Sequence, residues 1–226
     1  MKSALVTGGS SGIGLAIARM LKEEGYELTL VARRPEKLAA AAEELGATAV
    51  PANVANEDEC ARAVAAHAER CGTLDVLVHC AGVGVGGAFA TQETKRIDLQ
   101  LDVNLRGTLL VTREALPLLR AAGGLVVTLA SIAGTIPVPG LAVYGATKAA
   151  LVSFTSSLNR EEAEHGVRAT ALCPAFVATQ MTDWTGIPAE EMIQMEDVVA
   201  LVRALLSLSP RARVPTIVVE RVGDVV

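Results

Sequence analysis

Seven short aliphatic runs, separated by longer stretches with helical periodicity, constrain this 226-residue chain more than any other feature. The runs are SALVT (3–7), ELTLVA (27–32), TAVPAN (48–53), DVLVHC (75–80), LVVTLA (125–130), VRATALC (167–173) and PTIVVE (215–220). Most are continuous rather than alternating, the pattern of strands covered on both faces. Helices are expected near 12–24, 35–45, 56–71, 98–121, 144–165 and 196–207. Such alternation implies a doubly wound α/β fold, a seven-stranded parallel sheet with helices on both faces. No Pro/Gly/Ser-rich linker or repeat divides the chain, so one domain over 1–226 is expected.

Composition narrows the function classes. Hydrophobic residues make up 51% and aromatics 3%, which gives an aliphatic core large enough to stand without disulfides. Net charge is −5 with both signs interspersed, so the basic stripe of a nucleic-acid binder is missing. The four cysteines, Cys60, Cys71, Cys80 and Cys173, show no C-x-x-C pair and no zinc spacing. Cys60 and Cys71 would lie three helical turns apart, about 16 Å, too far for a disulfide. The sequence enters a strand pattern at once, without a signal-peptide pattern, and no apolar run reaches a membrane span. The expectation is a cytoplasmic protein with reduced thiols and neither a membrane nor a nucleic-acid partner.

Open sheets of this kind bind ligands beyond the carboxyl ends of their strands. After the first run comes TGGSSGIG (7–14), where Gly8, Gly12 and Gly14 open the first helix. Glycines there let the backbone turn tightly and approach a pyrophosphate held at the helix N-terminus. No Lys-Ser/Thr follows, so the loop is not a Walker-type ATP site. After the second run, an acid would accept the ribose 2′-hydroxyl of NAD. Here Ala32 is followed by Arg33 and Arg34, and paired guanidinium groups suit the 2′-phosphate of NADP(H).

Tyr144 and Lys148 stand one helical turn apart in YGATK, and Ser131 follows the fifth run. Read as one site, Lys148 would favour the phenolate, Tyr144 would act as acid or base, and Ser131 would hydrogen-bond the substrate oxygen. Spacing alone equally allows a packing tyrosine, a snorkelling lysine and a serine cap. His67 and His165 lie in polar helical contexts and are expected to be solvated, and His79 at a strand end is expected to be a structural donor.

TGGSSGIG, AG at 81–82, DVNLRG at 102–107, Ser131 and YGATK at 144–148 together resemble the short-chain dehydrogenases/reductases, in order and with that family's spacings from residue 3 to about 181. The resemblance implies a Rossmann-type fold and an NADP(H)-dependent oxidoreductase with the tetrad Asn104, Ser131, Tyr144 and Lys148. Tyr144 would be the acid in carbonyl reduction and the base in alcohol oxidation. Lys148 would also hold the nicotinamide ribose, and Asn104 would support a water relaying protons to Lys148. Hydride would pass directly to the substrate, with no metal. Gly8, Ser10, Gly12, Ile13 and Gly14 would surround the phosphates, with Asn53 and Val54 near adenine. Ala81 and Gly82 would adjoin the adenosine ribose, and Pro174, Val177 and Thr179 the nicotinamide. The chain departs from the family pattern at His79–Cys80, where two asparagines are usual, at Asn53 for Asp, and at Ala175 for Gly.

Residues 180–195, QMTDWTGIPAEEMIQM, would form a short lid, with IPVPGLA (136–142) as the opposite wall. Their apolar, methionine-rich character suits a small-molecule ketone, aldehyde or 3-oxoacyl substrate. The same apolar residues could instead serve a subunit interface. The family habit of pairing helices near 98–121 and 144–165 implies a homodimer or homotetramer. The competing function class is a nucleotide-sensing or scaffold protein that keeps the fold without the chemistry.

Overall fold

The computed structural model describes residues 2–223. Its seven strands, β1 (Ser3–Thr7), β2 (Glu27–Ala32), β3 (Thr48–Pro51), β4 (Val76–His79), β5 (Leu125–Leu129), β6 (Arg168–Pro174) and β7 (Thr216–Val219), form one sheet in the order β3-β2-β1-β4-β5-β6-β7. Every neighbouring pair is parallel. The chain order reverses between β1 and β4, so a crevice opens beyond their carboxyl ends.

Helices α1 (Gly12–Glu23), α2 (Pro35–Leu45) and α7 (Met195–Ser207) cover one face of the sheet; α3 (Glu57–Cys71), α5 (Gly107–Ala122) and α6 (Ala142–Glu161) cover the other. Successive strand residues feed opposite cores. Ala4 and Val6 pack with Ile17, Leu21, Leu38 and Val202, while Leu5 packs with Val64, Val111 and Leu119. This two-sided burial is why the strands read as continuous aliphatic runs. No helix among the described residues is long and apolar enough to cross a membrane.

The structure departs from the sequence expectation in three places. The helix expected over 98–121 begins earlier, as α4 (Thr94–Gln100), and passes through a π-helical stretch at Leu101–Arg106 before α5. Such stretches displace the i→i−4 ladder. Threonine hydroxyls take up carbonyls around it: Thr108 Oγ1 donates to the Asn104 carbonyl at 2.9 Å and Thr112 Oγ1 to that of Thr108 at 2.7 Å.

His67, expected in solvent, is fully buried. Its Nε2 donates to the Thr73 carbonyl at 3.0 Å, so Nδ1 accepts from Thr29 Oγ1 at 2.9 Å. Burial pulls its pKa below the ordinary histidine value. His165 is exposed, as expected. Thirdly, β3 ends at Pro51, two residues short of the expected end: Ala52 N–H still donates to the Ala32 carbonyl at 3.0 Å, and the chain then turns at Asn53, whose side-chain oxygen accepts from Ala55 N–H at 3.2 Å.

Candidate active site

The first strand–helix turn is held by backbone against backbone. Gly8 has φ +69°, and a Cβ there would lie 2.7 Å from Cys80 and Ala81 backbone atoms. A Cβ on Gly14 would come within 2.4 Å of the Gly8 carbonyl. Only glycine at both positions lets the β1 and β4 ends and the start of α1 close on one another. The departures at His79 and Cys80 fit into this floor. Thr112 gives its proton to the Thr108 carbonyl, so it accepts from His79 Nε2–H at 2.9 Å. Burial pushes the His79 pKa down to about 3 and the Cys80 thiol up to about 12. The floor therefore carries a neutral imidazole and a neutral thiol. Ala175 needs no glycine, since no residue other than glycine has positive φ among those described, and its N–H donates to the Val219 carbonyl at 2.8 Å.

A second pair of close backbone approaches brings Ser131 to α6. A Cβ on Gly145 would lie 2.7 Å from the Ala133 carbonyl, and one on Gly134 2.6 Å from the Lys148 backbone. The turn Ile132–Gly134 thus sits directly on the first turns of α6. Ser131 caps that turn by accepting from Ala133 N–H at 3.2 Å, so its own hydroxyl proton remains available. Lys148 is 5% exposed, and its Nζ donates to the Leu129 carbonyl at 2.7 Å. The ammonium lies 5.5 Å from the Tyr144 ring centroid. Burying a cation is costly unless it is paired, and Lys148 makes no salt bridge among the described residues, which marks it as a candidate functional group.

Asn104 sits in the π-helical stretch, fully buried. Its amide clamps the backbone of Val83, accepting from the N–H at 2.8 Å and donating to the carbonyl at 2.9 Å, and it reaches Thr147 Oγ1 at 3.1 Å. A Cβ on Gly82 would be 3.4 Å from Asn104 Oδ1 and 3.8 Å from Lys148 Nζ, so the amide and the ammonium flank the same glycine.

Ser131, Tyr144 and Lys148 line one cavity of about 1010 Å³, together with every residue expected to touch the cofactor except Asn53. The side-chain oxygen of Asn53 closes its own turn on Ala55 N–H at 3.2 Å, and the wall at this point is built by Ala52 and Val54. Asn104 stands behind the wall rather than in it. Lys37, which the sequence reading passed over, joins Arg33 and Arg34 at the far end of the cavity. The side chains of these three make no hydrogen bond or ion pair among the described residues. Their spacing at i, i+1 and i+4 across a helix start was the available signal. The lining contains four cations, Arg33, Arg34, Lys37 and Lys148, and no Asp or Glu, in a chain of net charge −5.

At the other end the walls are Ile136–Pro139 and Leu141 on one side, and Phe176, Met181 and Trp184 on the other. Residues 180–195 form two short 3-10 turns, Asp183–Thr185 and Ala189–Glu191. Trp184 stands edge-on to Phe176, with ring centroids 6.3 Å apart. Trp184 is 68% exposed and Met181 49%, and a bridge between Val177 and Ile193 ties the ends of the segment together.

The chain is similar to known proteins in sequence and in fold. Residues 2–186 match the short chain dehydrogenase family model. An uncharacterized oxidoreductase of Staphylococcus epidermidis is 38% identical over 211 residues, covering 90% of each chain. A 3-oxoacyl-[acyl-carrier-protein] reductase of Staphylococcus aureus is 39% identical over 189 residues, 80% of this chain and 77% of the relative. An alcohol dehydrogenase from the archaeon Thermococcus sibiricus, complexed with 5-hydroxy-NADP, superimposes with a TM-score of 0.91 at 29% identity, covering 99% of this chain and 98% of that one. By sequence match, sheet order and overall superposition, the chain is an oxidoreductase of the short-chain dehydrogenase family.

Proposed function

We propose that the protein is an NADP(H)-dependent oxidoreductase acting on a carbonyl or secondary alcohol with apolar substituents. The observation that carries this reading is the single cavity itself. Unpaired cations without an acid stand at one end, an uncharged apolar mouth at the other, and Tyr144, Lys148 and Ser131 between them. The residues fit the cofactor. The Gly8–Gly14 turn admits a pyrophosphate to the start of α1, and Arg33, Arg34 and Lys37 offer what a 2′-phosphate needs. When bound, the nicotinamide supplies or accepts the hydride.

The chain's own residues handle the proton and the oxygen. Ser131, with its Oγ proton free, donates to the substrate oxygen and fixes the carbonyl beside Tyr144. Tyr144 donates its phenolic proton to that oxygen in reduction and takes it back in oxidation. Lys148, held by the Leu129 carbonyl, stabilises the phenolate left on Tyr144 and keeps further N–H donors for the ribose hydroxyls. Asn104 fastens Val83 and faces the space around Gly82, beside the ammonium, where a relay water would sit. Residues 180–195 serve as the lid, with Met181 and Trp184 closing over apolar groups. The reading includes a homodimer or homotetramer, supported by Leu99 and Leu101, each 40% exposed at the junction of α4 with the π-helical stretch.

The test is turnover of apolar ketones and aldehydes with NADPH and NADH in parallel. Turnover favouring NADPH is expected. Equal use of both cofactors would overturn the assignment of the three cations, and binding of NADPH without turnover of any carbonyl would favour a nucleotide sensor.

A further inference from the structure

Charge is divided unevenly along the cavity. All the exposed cations of its lining, Arg33, Arg34 and Lys37, lie at the end of β2 and the start of α2. Outward from Lys148, the lining side chains of both walls are uncharged. The sequence makes the same point: there is no charged residue between Arg120 and Lys148, and no Lys or Arg between Arg168 and Arg203. The ionisable residues on the lid are all acidic, namely Asp183, Glu190 and Glu191, and all three are exposed. Asp183 shares a 3-10 turn with Trp184, which lines the cavity. Arg221 reaches this rim and meets Glu191 at 3.9 Å. On the third side, Lys95 and Arg96 face Glu93 at 2.9 and 3.8 Å, and neither lines the cavity.

We propose that the substrate is an uncharged carbonyl compound that enters free in solution, and that the mouth discriminates against an acyl group carried on a phosphopantetheine arm. This rests on the reductase reading above. An arm of that kind, whether in coenzyme A or on a carrier protein, bears phosphate. With its carbonyl at Tyr144, the arm would run out along the apolar walls and leave its phosphate at the lid. Phosphate recognition needs Arg, Lys or converging N–H donors. The rim offers three exposed carboxylates instead, Asp183, Glu190 and Glu191, with Arg221 turned to Glu191, and like charges brought together at an interface weaken binding and slow encounter. The contrast lies within one cavity, because the nucleotide end supplies what the mouth lacks. The Staphylococcus aureus relative acts on an acyl-carrier-protein substrate, so the proposal separates this chain from that relative by the charge of its mouth.

The test uses the purified full chain with saturating NADPH and one 3-oxoacyl group in three forms: the neutral N-acetylcysteamine thioester, the coenzyme A thioester and the acyl-carrier-protein thioester. The expected kcat/KM for the neutral form is at least roughly tenfold above either charged form at low salt, a gap that narrows as salt screens the rim. The double variant Asp183→Lys/Glu190→Lys should narrow the same gap at low salt. If that variant does not fold, the salt series on the unmodified chain decides. Charged forms turned over as well as the neutral one at low salt would overturn the proposal while leaving the reductase reading intact. No turnover of any neutral thioester or ketone, with NADPH bound, would bring down both.

Discussion

The two ends of the cavity are built on opposite principles. At the nucleotide end, backbone packs on backbone, and glycines at 8 and 14 leave no room for a single methyl group. At the mouth, large apolar side chains stand in solvent, with Trp184 68% exposed and held to Phe176 by one edge-on contact. One end is cationic; the other is uncharged within, with Asp183, Glu190 and Glu191 and the Glu191-facing Arg221 around its rim. The difference teaches where specificity resides. On the proposed reading, a cofactor common to many reactions is held by a rigid frame that tolerates little change, and the substrate is chosen by exposed side chains that add little to the core.

That contrast can be broken in graded ways. The largest effect is expected from Gly14→Ala, whose methyl would meet the Gly8 carbonyl at 2.4 Å. Because both partners are backbone, the cost should reach about 3 kcal/mol of stability, read by urea unfolding, with loss of NADPH binding. Next comes acid sensitivity of the floor under the nucleotide. His79 is held neutral with its pKa near 3, against 6.5 in the ordinary case. The unfolded chain takes up the proton first. Stability from this group is therefore complete above about 6.5 and lost as pH falls toward 3, by up to about 1.4 kcal/mol per pH unit. His79→Asn should flatten that slope between pH 7 and 5.5 in parallel unfolding curves, and an unchanged slope would contradict a neutral buried imidazole.

Smaller effects should follow at the cations. Arg33→Ala and Lys37→Ala are each expected to lower the NADPH-over-NADH preference about tenfold, the size of one charge-assisted hydrogen bond. An unchanged ratio for Lys37→Ala would remove it from the site. The smallest effect on the fold belongs to the mouth: Trp184→Ala should change stability by no more than about 0.5 kcal/mol. The same substitution should raise KM for an apolar ketone several-fold. A stability loss as large as that of Gly14→Ala would erase the distinction between the two ends.

The sheet was legible because burial on both faces leaves continuous aliphatic runs that no surface strand would show. The residues that line the cavity were legible in TGGSSGIG and in the arginines after β2, whereas Tyr144 and Lys148 of YGATK, left open by spacing alone, were singled out by the resemblance to the short-chain dehydrogenases/reductases. What escaped depends on partners distant in sequence. His67 looked solvated because α3 carries many charged residues, Glu57, Asp58, Glu59, Arg62, Glu69 and Arg70 among them, yet the rotation of that helix aims it at Thr29 and Thr73. The π-helical stretch at Leu101–Arg106 lies inside an unbroken helical pattern, and only the Thr108 and Thr112 hydroxyls mark it. Lys37 reads as an ordinary solvated lysine in a first helical turn. Its place beside Arg33 becomes visible only when α2 is set against the cavity.

The most direct test of the account is one comparison, the unmodified chain against Tyr144→Phe. Oxidation of NADPH by an apolar ketone and the affinity for NADPH alone would be measured on the same samples. The account predicts that turnover falls by at least about a thousandfold while NADPH binding is retained, since the phenolic proton is lost and the cradle is untouched. Substantial turnover by Tyr144→Phe would contradict it, because the proton would then come from another group.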